Sequence, residues 1–305
     1  MEEQKQGQLA GELNGAEPET DSGKKKKEKE KKPLGQEILS WVLTILGAVA
    51  AALVIRTLIF EPVRVDGASM NDTLADGEIM FVSKFDYSST WLSFPWQSDE
   101  DKEAAKRFTI GGNPERFDVV ICRYPGRGDT NFVKRVAALP GDTVGLVNGY
   151  LYVNGEKIDE PYVNDDYRTG SLNTYGPFTV PAKGDTLTVQ KGESGYTLQM
   201  NGAEWDFRIM RNGITVTDGE GKKMSLTAQG GITYDGTEVT AENAEEIMDS
   251  LTEKTFTVDE DYFFVMGDHR NNSNDSRSQG PITRDMIIGH VRTVLFPFNH
   301  WRGVE

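Results

Sequence analysis

The sequence predicts a mostly β domain behind one N-terminal transmembrane helix, with a β-rich module inserted into the domain. Three observations predict this architecture: an early apolar run without charges, short β-type segments that follow it, and a change of composition over residues 183–255. The chain has 305 residues, of which 37% are hydrophobic and 10% aromatic. That length and composition suffice for a substantial core.

The N-terminal part divides into a polar tail and an apolar run. Residues 1–35 hold few apolar side chains and end in the lysine-rich run Lys24–Pro33, which predicts a disordered tail. The uncharged run Ile38–Ile55 would span about 27 Å as a helix, close to the apolar thickness of a bilayer. We therefore predict a transmembrane helix over residues 36–60. Lysines favour the cytoplasm, so the chain after Phe60 is expected on the outer side of the cell membrane.

A cleaved signal peptide is the alternative interpretation of this run, with Ala48-Val49-Ala50 as the cleavage site. The run is longer than the usual apolar core of a signal peptide, and it continues beyond Arg56 through Thr57–Phe60. A retained anchor is therefore favoured.

The charge balance and the cysteine count exclude several functions. The net charge is −15, and residues 33–305 carry the whole excess, because residues 1–32 hold eight lysines and eight acidic residues. An acidic domain argues against a nucleic-acid partner. One cysteine, Cys122, permits no internal disulfide, and three histidines offer little for a metal site. No metal ion or cofactor is predicted.

The chain after the anchor is predicted to form mostly β-strands. Val63 and Val65 alternate with polar or proline positions, and Val119–Cys122 is a short apolar run. Asn148-Gly149 and Asn154-Gly155 predict tight hairpin turns.

Residues 183–255 form the predicted module. They are rich in Gly, Thr, Asp and Glu, with short β-type pieces and a helical stretch near Ala241–Leu251. The similar segments Pro177–Val180 and Thr255–Val258 flank them. The core is therefore assigned to residues 61–182 and 256–305.

Ser69 and Lys134 are the candidates for covalent chemistry. A serine hydroxyl needs a base beside it, and a lysine amine can be that base where burial removes its charge. Arg135 would point to the opposite face if the segment is a strand. The alternative is that Lys134 and Arg135 form a solvated surface pair.

Four segments resemble, in order, those of the bacterial type I signal peptidases, Ser/Lys enzymes that remove signal peptides from exported proteins. They are GASMNDTL around Ser69, Asp76–Tyr87, Arg116–Val144 with Lys134, and Tyr262–Gly280 with GDHRNNSNDSR. The resemblance implies a signal-peptidase-type β-sheet catalytic core, membrane lipid as surroundings, and signal peptides as substrates. Since none of the four segments lies in residues 183–255, removal of the module is expected to leave some activity.

The resemblance also implies roles for single residues. Ser69 would form the acyl-enzyme after an A-x-A-like site, and Lys134 would take its proton, which requires a pKa well below the ordinary value of about 10.4. Ser276 would hydrogen-bond and orient the lysine. Asp275 and Arg277 would form a supporting ion pair, and Asp268 would brace the same loop, although each of these groups could be only a polar turn residue.

Two positions depart from the family pattern. Many members have proline where this chain has Asp72, and some have a hydroxyl residue where it has Gly67. The oxyanion hole would then depend mainly on the Ser69 backbone N–H, and a compensating geometry is expected. His269 follows Asp268 and permits a Ser/His/Asp triad on paper, but the Ser/Lys form fits better.

The substrate cleft is predicted from the strand pattern. An extended peptide shows alternate side chains to one wall, which would give small-x-small specificity. The alternative is that the wall residues are simply core. The aromatic segment Trp91–Trp96 is expected to dip into lipid, with packing inside the domain as its alternative. The cleft candidates are Val63, Val65, Met70, Leu74, Phe132 and Val133.

Two other functions are alternatives to a signal peptidase. An anchored surface-binding protein, with the module as its binding part, would leave the four ordered segments unexplained. A Ser/Lys self-cleaving regulator is disfavoured by the anchor and by the absence of a DNA-binding segment.

Overall fold

The computed structural model describes residues 33–90, 108–124, 130–193, 195–227 and 231–304. The chain divides into two units between Val49 and Ala50. The segment Trp91–Trp96, for which we predicted contact with lipid, lies outside the described residues.

The described residues form three α-helices and 22 strands, numbered here in chain order. The helices are α1 (Leu34–Leu58), α2 (Ala244–Leu251) and α3 (Ser276–Gln279). The first ten strands are β1 (Phe60–Arg64), β2 (Ile79–Ser83), β3 (Tyr87–Thr90), β4 (Phe108–Gly111), β5 (Val119–Cys122), β6 (Phe132–Ala138), β7 (Thr143–Val147), β8 (Tyr150–Val153), β9 (Glu156–Lys157) and β10 (Tyr175–Thr179). The others are β11 (Thr186–Gly192), β12 (Gly195–Met200), β13 (Ala203–Glu204), β14 (Ile214–Asp218), β15 (Lys223–Leu226), β16 (Ile232–Tyr234), β17 (Thr237–Glu238), β18 (Thr255–Val258), β19 (Tyr262–Met266), β20 (Ile282–Thr283), β21 (Ile287–Phe296) and β22 (Arg302–Gly303).

Helix α1 is the apolar run that the sequence predicts to span a membrane. Among the described residues it is the one helix long and apolar enough to do so, over Leu34–Arg56 with a mean hydropathy of 2.5. It ends two residues earlier than predicted because Phe60 already begins β1. Pro62 favours this change, since proline has no N–H to continue a helix.

The central sheet has the order β1-β2-β21-β5-β6-β19-β20, with β22 paired to β21. It is covered on both faces by separate hydrophobic clusters. One contains Met70, Leu74 and Val82, and the other contains Val120, Val136 and Phe263. Val120 and Val136 of the second cluster lie in the sheet's middle strands, β5 and β6.

A second sheet, β10-β7-β8-β9, contains the two predicted hairpin turns. Asn148-Gly149 connects β7 to β8, and Asn154-Gly155 connects β8 to β9. All four residues have positive φ, between 52° and 83°, which is the conformation that Asn-Gly turns favour. Both hairpin predictions are confirmed.

The third sheet has the order β13-β12-β11-β18-β14-β15-β16-β17. Its strands come from residues 183–255, which the sequence predicts to be a module, and from the rest of β18. Side chains alternate between its faces: Leu187 and Phe256 are buried, whereas their neighbours Thr186 and Thr257 are exposed. β18 pairs with both β11 and β14, so Thr255–Val258 lies in the middle of this sheet. The sequence prediction differs here, because it places residues 256–258 of this strand in the catalytic core.

One hydrophobic cluster joins the module to the rest of the domain. It unites side chains of the module with Leu146 and Phe178 of the second sheet and with Phe264 and Met266 of the central sheet. The module also contacts the end of α3: a Cβ added at Gly280 would lie 2.6 Å from the Ile209 carbonyl oxygen. The module is therefore packed as part of the domain. Its members in the cluster are Leu187, Val189, Leu198, Met200, Trp205, Met210, Ile214, Val216, Met224, Leu226, Met248 and Leu251, and Phe256 and Val258 of β18 lie beside them.

Candidate active site

Ser69 lies in the turn between β1 and β2. Buried side chains on both sides fix this turn, because Val65 precedes Ser69 and Met70 follows it in the same hydrophobic cluster. Backbone hydrogen bonds close the turn: Asn71 N–H donates to the Ala68 carbonyl and Leu74 N–H donates to the Met70 carbonyl. The Ser69 hydroxyl is consequently held at a defined position.

Lys134 lies in β6, opposite Val120 of β5, and is 2% exposed. Its Nζ lies 2.8 Å from Ser69 Oγ and donates a second hydrogen bond of 2.8 Å to the Val133 carbonyl. The two candidates, 65 positions apart in the chain, are thus in direct contact. This distance is within the range expected for a nucleophile and its base.

The surroundings of Lys134 favour its neutral form. Burial lowers the pKa of the Lys134 ammonium, while the carboxylates of Asp275 and Asp268 act in the opposite direction. Each carboxylate is itself paired with an arginine, which weakens its effect on the lysine. Cys122 adds little charge at neutral pH, because burial raises the pKa of its thiol to about 12. The pKa of Lys134 therefore lies below its ordinary value.

Arg135 points away from Lys134, as the strand pattern predicts, but it is buried rather than solvated. Its guanidinium forms an ion pair with Asp268 at 2.9 Å and lies 3.8 Å from the centre of the Tyr162 ring. The Thr73 hydroxyl donates to the same carboxylate at 2.5 Å. Asp268 thus connects β6 to the turn that carries Ser69.

Asp275 and Arg277 form a buried, two-point ion pair with N–O distances of 2.7 and 2.8 Å. Burial opposes ionisation of Asp275, but hydrogen bonds led by that from Arg277 hold the pKa of its carboxyl below the ordinary value. Its Oδ2 also accepts from Gly267 N–H at 3.0 Å. The pair holds the two ends of the loop Gly267–Arg277 together.

Ser276 lies between these two residues, but its partner is not the predicted one. Its Oγ accepts a hydrogen bond of 2.9 Å from Val265 N–H. Among the described residues, the hydrogen-bond partners of Lys134 Nζ are Ser69 and Val133, and Ser276 is not one of them. An orienting role for Ser276 stays a prediction.

A second buried charge network, which the sequence did not indicate, lies behind the loop. Glu160 forms ion pairs with Arg168 and with Arg270, and all three side chains are almost completely buried. Arg270 lies in the recognised GDHR segment, which could have marked it. No sequence motif marks Glu160, because its partner Arg270 is 110 positions away in the chain.

The six cleft candidates separate into three groups. Val65, Met70 and Leu74 are at most 3% exposed and lie in the core, so the structure gives them the alternative role that the sequence left open. Val63 and Val133 are only partly buried against that cluster. The ring of Phe132 packs on the opposite side of the sheet. Val63 and Val133 therefore remain predicted cleft residues.

The histidines do not form a metal site. In the described ranges no group of three or more His, Cys, Asp or Glu side chains could hold a metal ion. His290 lies between Asp86 and Asp118, and His300 contacts Glu78. His269 lies beside Ser69, but its ring contacts a backbone carbonyl rather than the serine hydroxyl.

Asp72 and Gly67, the two departures from the family pattern, both have positive φ. Asp72 has a φ of 75°, which proline cannot adopt, so this turn must differ from one that carries proline there. Its carboxylate accepts from Asn164 Nδ2 at 3.2 Å. Gly67 has a φ of 96°, and its N–H donates to Asp76 at 2.9 Å.

Gly67→Ser is expected to destabilise the protein, because the backbone at this position has a positive φ. A Cβ would meet no atom within 4 Å, so the cost comes from the φ of 96° and is about 1–3 kcal/mol. Chemical denaturation of wild type and variant measures it, with Ala68→Ser as the control at the next position. Equal stability of Gly67→Ser and wild type would contradict the strain.

This arrangement, a serine and a buried lysine in contact on a β-sheet, defines a candidate serine peptidase. The chain belongs to the family described as signal peptidase, peptidase S26, whose model matches residues 38–296. It is therefore a serine peptidase of the signal peptidase type, a membrane-anchored class that removes signal peptides from preproteins.

The chain is also similar to several signal peptidases. A signal peptidase I of Bacillus amyloliquefaciens is 28% identical over 281 residues, which cover 92% of this chain and 100% of that protein. A signal peptidase I of Bacillus licheniformis is 34% identical over 150 residues, covering 47% and 68%. A solved signal peptidase I from Enterococcus faecalis is 23% identical, with a TM-score of 0.28 and coverage of 59% of this chain and 97% of that one.

Proposed function

We propose that the chain cleaves preproteins after A-x-A-like sites through a Ser69/Lys134 dyad and an acyl-enzyme. The 2.8 Å separation between Lys134 Nζ and Ser69 Oγ carries this proposal. The burial of Lys134, which lowers its pKa, supports a neutral amine that can accept the serine proton. Asp268, Asp275, Arg277 and Ser276 are assigned to support the loop rather than to react.

The reaction begins with proton transfer. Lys134 Nζ takes the hydroxyl proton as Ser69 Oγ bonds to the scissile carbonyl carbon, and the electron pair of the C=O bond moves to oxygen. The oxyanion is stabilised by the Ser69 backbone N–H, which has no acceptor among the described residues. The lysine ammonium then gives its proton to the leaving amine, the C–N bond breaks, and the signal peptide stays esterified to Ser69.

Deacylation repeats these steps with water. Lys134 takes a proton from a water molecule, whose oxygen attacks the ester carbon, and the proton returns to Ser69 Oγ as the ester bond breaks. The same base serves both halves of the reaction, so no metal ion or other cofactor is required.

The substrate is proposed to bind as an extended strand. β19 pairs with β6 only from Arg135 onward, so the described strands leave one edge of β6 uncovered at Phe132–Lys134. A peptide added there would present alternate side chains to the wall that contains Val133. Val63 would line the other side of a shallow apolar cleft, which suits side chains as small as alanine.

The orientation of the chain in the membrane is proposed from the positive charge before α1. The lysine-rich run Lys24–Pro33 before α1 favours the cytoplasmic side, which leaves the domain from Phe60 onward outside the cell. Membrane lipid then surrounds α1. The acidic net charge argues against a nucleic-acid partner.

Ser69→Ala is the direct test of this function. The full chain in lipid vesicles is incubated with a preprotein that carries an A-x-A site, with a chelator present, and the products are identified by mass spectrometry. Wild type is expected to cleave after the A-x-A site, and Ser69→Ala is expected to lose cleavage because it lacks the nucleophile. Ser225→Ala, in the module, is the matched serine control and should retain full activity.

Two results would contradict the proposal. One is a folded Ser69→Ala variant that cleaves within tenfold of wild type. The other is an activity that the chelator abolishes and zinc restores.

A further inference from the structure

His269 makes two contacts with the backbone around Ser69. Its backbone N–H donates to the Ser69 carbonyl oxygen at 3.1 Å, and its ring Nδ1 lies 3.0 Å from the Ala68 carbonyl oxygen. A carbonyl oxygen only accepts hydrogen bonds, so Nδ1 must carry the hydrogen in this contact. One residue of the loop Gly267–Arg277 therefore holds both peptide groups that flank the serine α-carbon.

The contact with Ala68 bears directly on the oxyanion hole. The Ala68 carbonyl and the Ser69 N–H belong to one planar peptide group, in which the C=O and the N–H point in opposite directions. A hydrogen bond that fixes the carbonyl therefore fixes the direction of the N–H as well. Among the described residues that N–H has no acceptor, so it is free to donate to a substrate.

The His269 ring is itself held by the connection between β9 and β10. The ring of Tyr167 stacks on it with a centroid distance of 3.8 Å and an angle of 23° between the planes. Tyr167 lies in the 3₁₀ turn Asp165–Tyr167, and Asn164 before that turn donates to Asp72, three residues after Ser69. The stack thus fixes the plane of the ring, in which Nδ1 is directed at the Ala68 carbonyl.

We propose that His269 is a positioning residue of the oxyanion hole, which aims the Ser69 N–H by holding the Ala68 carbonyl. The inference rests on the proposed function, in which that N–H stabilises the oxyanion. It also explains how a chain with Gly67, and hence without a hydroxyl two residues before the nucleophile, keeps an effective oxyanion hole. His269 takes no proton from Ser69, because Lys134 does so.

Two substitutions separate the hydrogen bond from the ring stack. His269→Phe keeps a ring for Tyr167 but loses the donor, and His269→Asn loses the ring but keeps an N–H donor at a similar distance from the backbone. His269→Phe is expected to lower kcat by about tenfold to a hundredfold with KM within threefold, because a misdirected oxyanion donor affects the transition state more than the bound substrate. His269→Asn is expected to recover kcat to within a few fold of wild type.

The measurements use the full chain in vesicles with an A-x-A preprotein, together with the melting temperature and the pH dependence of kcat/KM. The pH at which activity rises should be unchanged in His269→Phe, because Lys134 sets it. Ser225→Ala, on β15 of the third sheet, is the control and should match wild type. A kcat loss in His269→Phe that His269→Asn reverses, with both variants folded, supports the inference.

Three outcomes overturn it. If His269→Phe has the kcat of wild type while Ser69→Ala is inactive, the inference is wrong and the proposed function stands. An Asn variant as slow as the Phe variant excludes the donor role. A shift in the pH profile of His269→Phe would identify the imidazole as a base instead. Retained activity in Ser69→Ala, in contrast, would overturn the proposed function itself.

Discussion

Lys134→Ala is expected to reduce preprotein cleavage by about three orders of magnitude or more, to the level of Ser69→Ala. Lys134 is the only side chain hydrogen-bonded to Ser69 Oγ among the described residues. Without it the hydroxyl has no base, and nucleophile and base act as one unit. The measurement is kcat/KM for a vesicle-bound preprotein, with the melting temperature as the check on folding.

The pH dependence gives a second readout of the same residue. Neutral lysine is the working form, so activity should increase as pH rises through the pKa of Lys134. Because burial lowers this pKa, the rise should occur at a lower pH than for an ordinary lysine. Lys134→Arg is the matched control, since a guanidinium stays charged and should be inactive at every pH. A Lys134→Ala variant within tenfold of wild type would contradict the dyad.

Local sequence chemistry predicted the parts of the fold that depend on neighbouring residues. The Asn148-Gly149 and Asn154-Gly155 turns were predictable because few other residue pairs adopt positive φ at both positions. Helix α2 lies within the predicted stretch Ala241–Leu251, although it begins three residues later. Ser69 and Lys134 were found because only a few residue types can act as nucleophile and base.

Contacts between distant segments were harder to predict. The ion pairs of Glu160 with Arg168 and Arg270 join parts of the chain that share no local pattern. The burial of Met70 and Leu74 could not be separated from a cleft position, because an apolar side chain fits either environment. The stacking of Tyr167 on His269 likewise joins two segments about 100 positions apart, so no local pattern predicts it.

The module shows the same limit on a larger scale. Its composition and turn signals marked it as an insertion, and they do not reveal what its inner face covers. The inner side chains, such as Leu187 and Val216, pack into the cluster that includes Phe264 and Met266. Met266 immediately precedes Gly267, the first residue of the loop that contains Asp268 and His269. The module therefore supports the loop from behind.

The sequence alone predicts some remaining activity after deletion of residues 183–255. The packing of these residues predicts instead that the deletion abolishes both cooperative folding and cleavage. The deletion would expose the apolar side chains of Phe264 and Met266 and would remove both partners of β18, namely β11 and β14. Exposing one large buried side chain costs about 1.5–3 kcal/mol, and a domain has only about 5–15 kcal/mol of stability in total. Thermal unfolding followed by circular dichroism, together with the preprotein assay, measures both losses.

Point substitutions on β18 give the matched control for this prediction. Phe256→Ala removes a completely buried ring from the shared cluster and should destabilise the protein by about 3–5 kcal/mol. Thr257→Ala, on the exposed face of the same strand, should change the stability by about 0.5 kcal/mol or less. A deleted chain that unfolds cooperatively and still cleaves the preprotein would show instead that the module is dispensable, because the second and central sheets could then close the cluster without it.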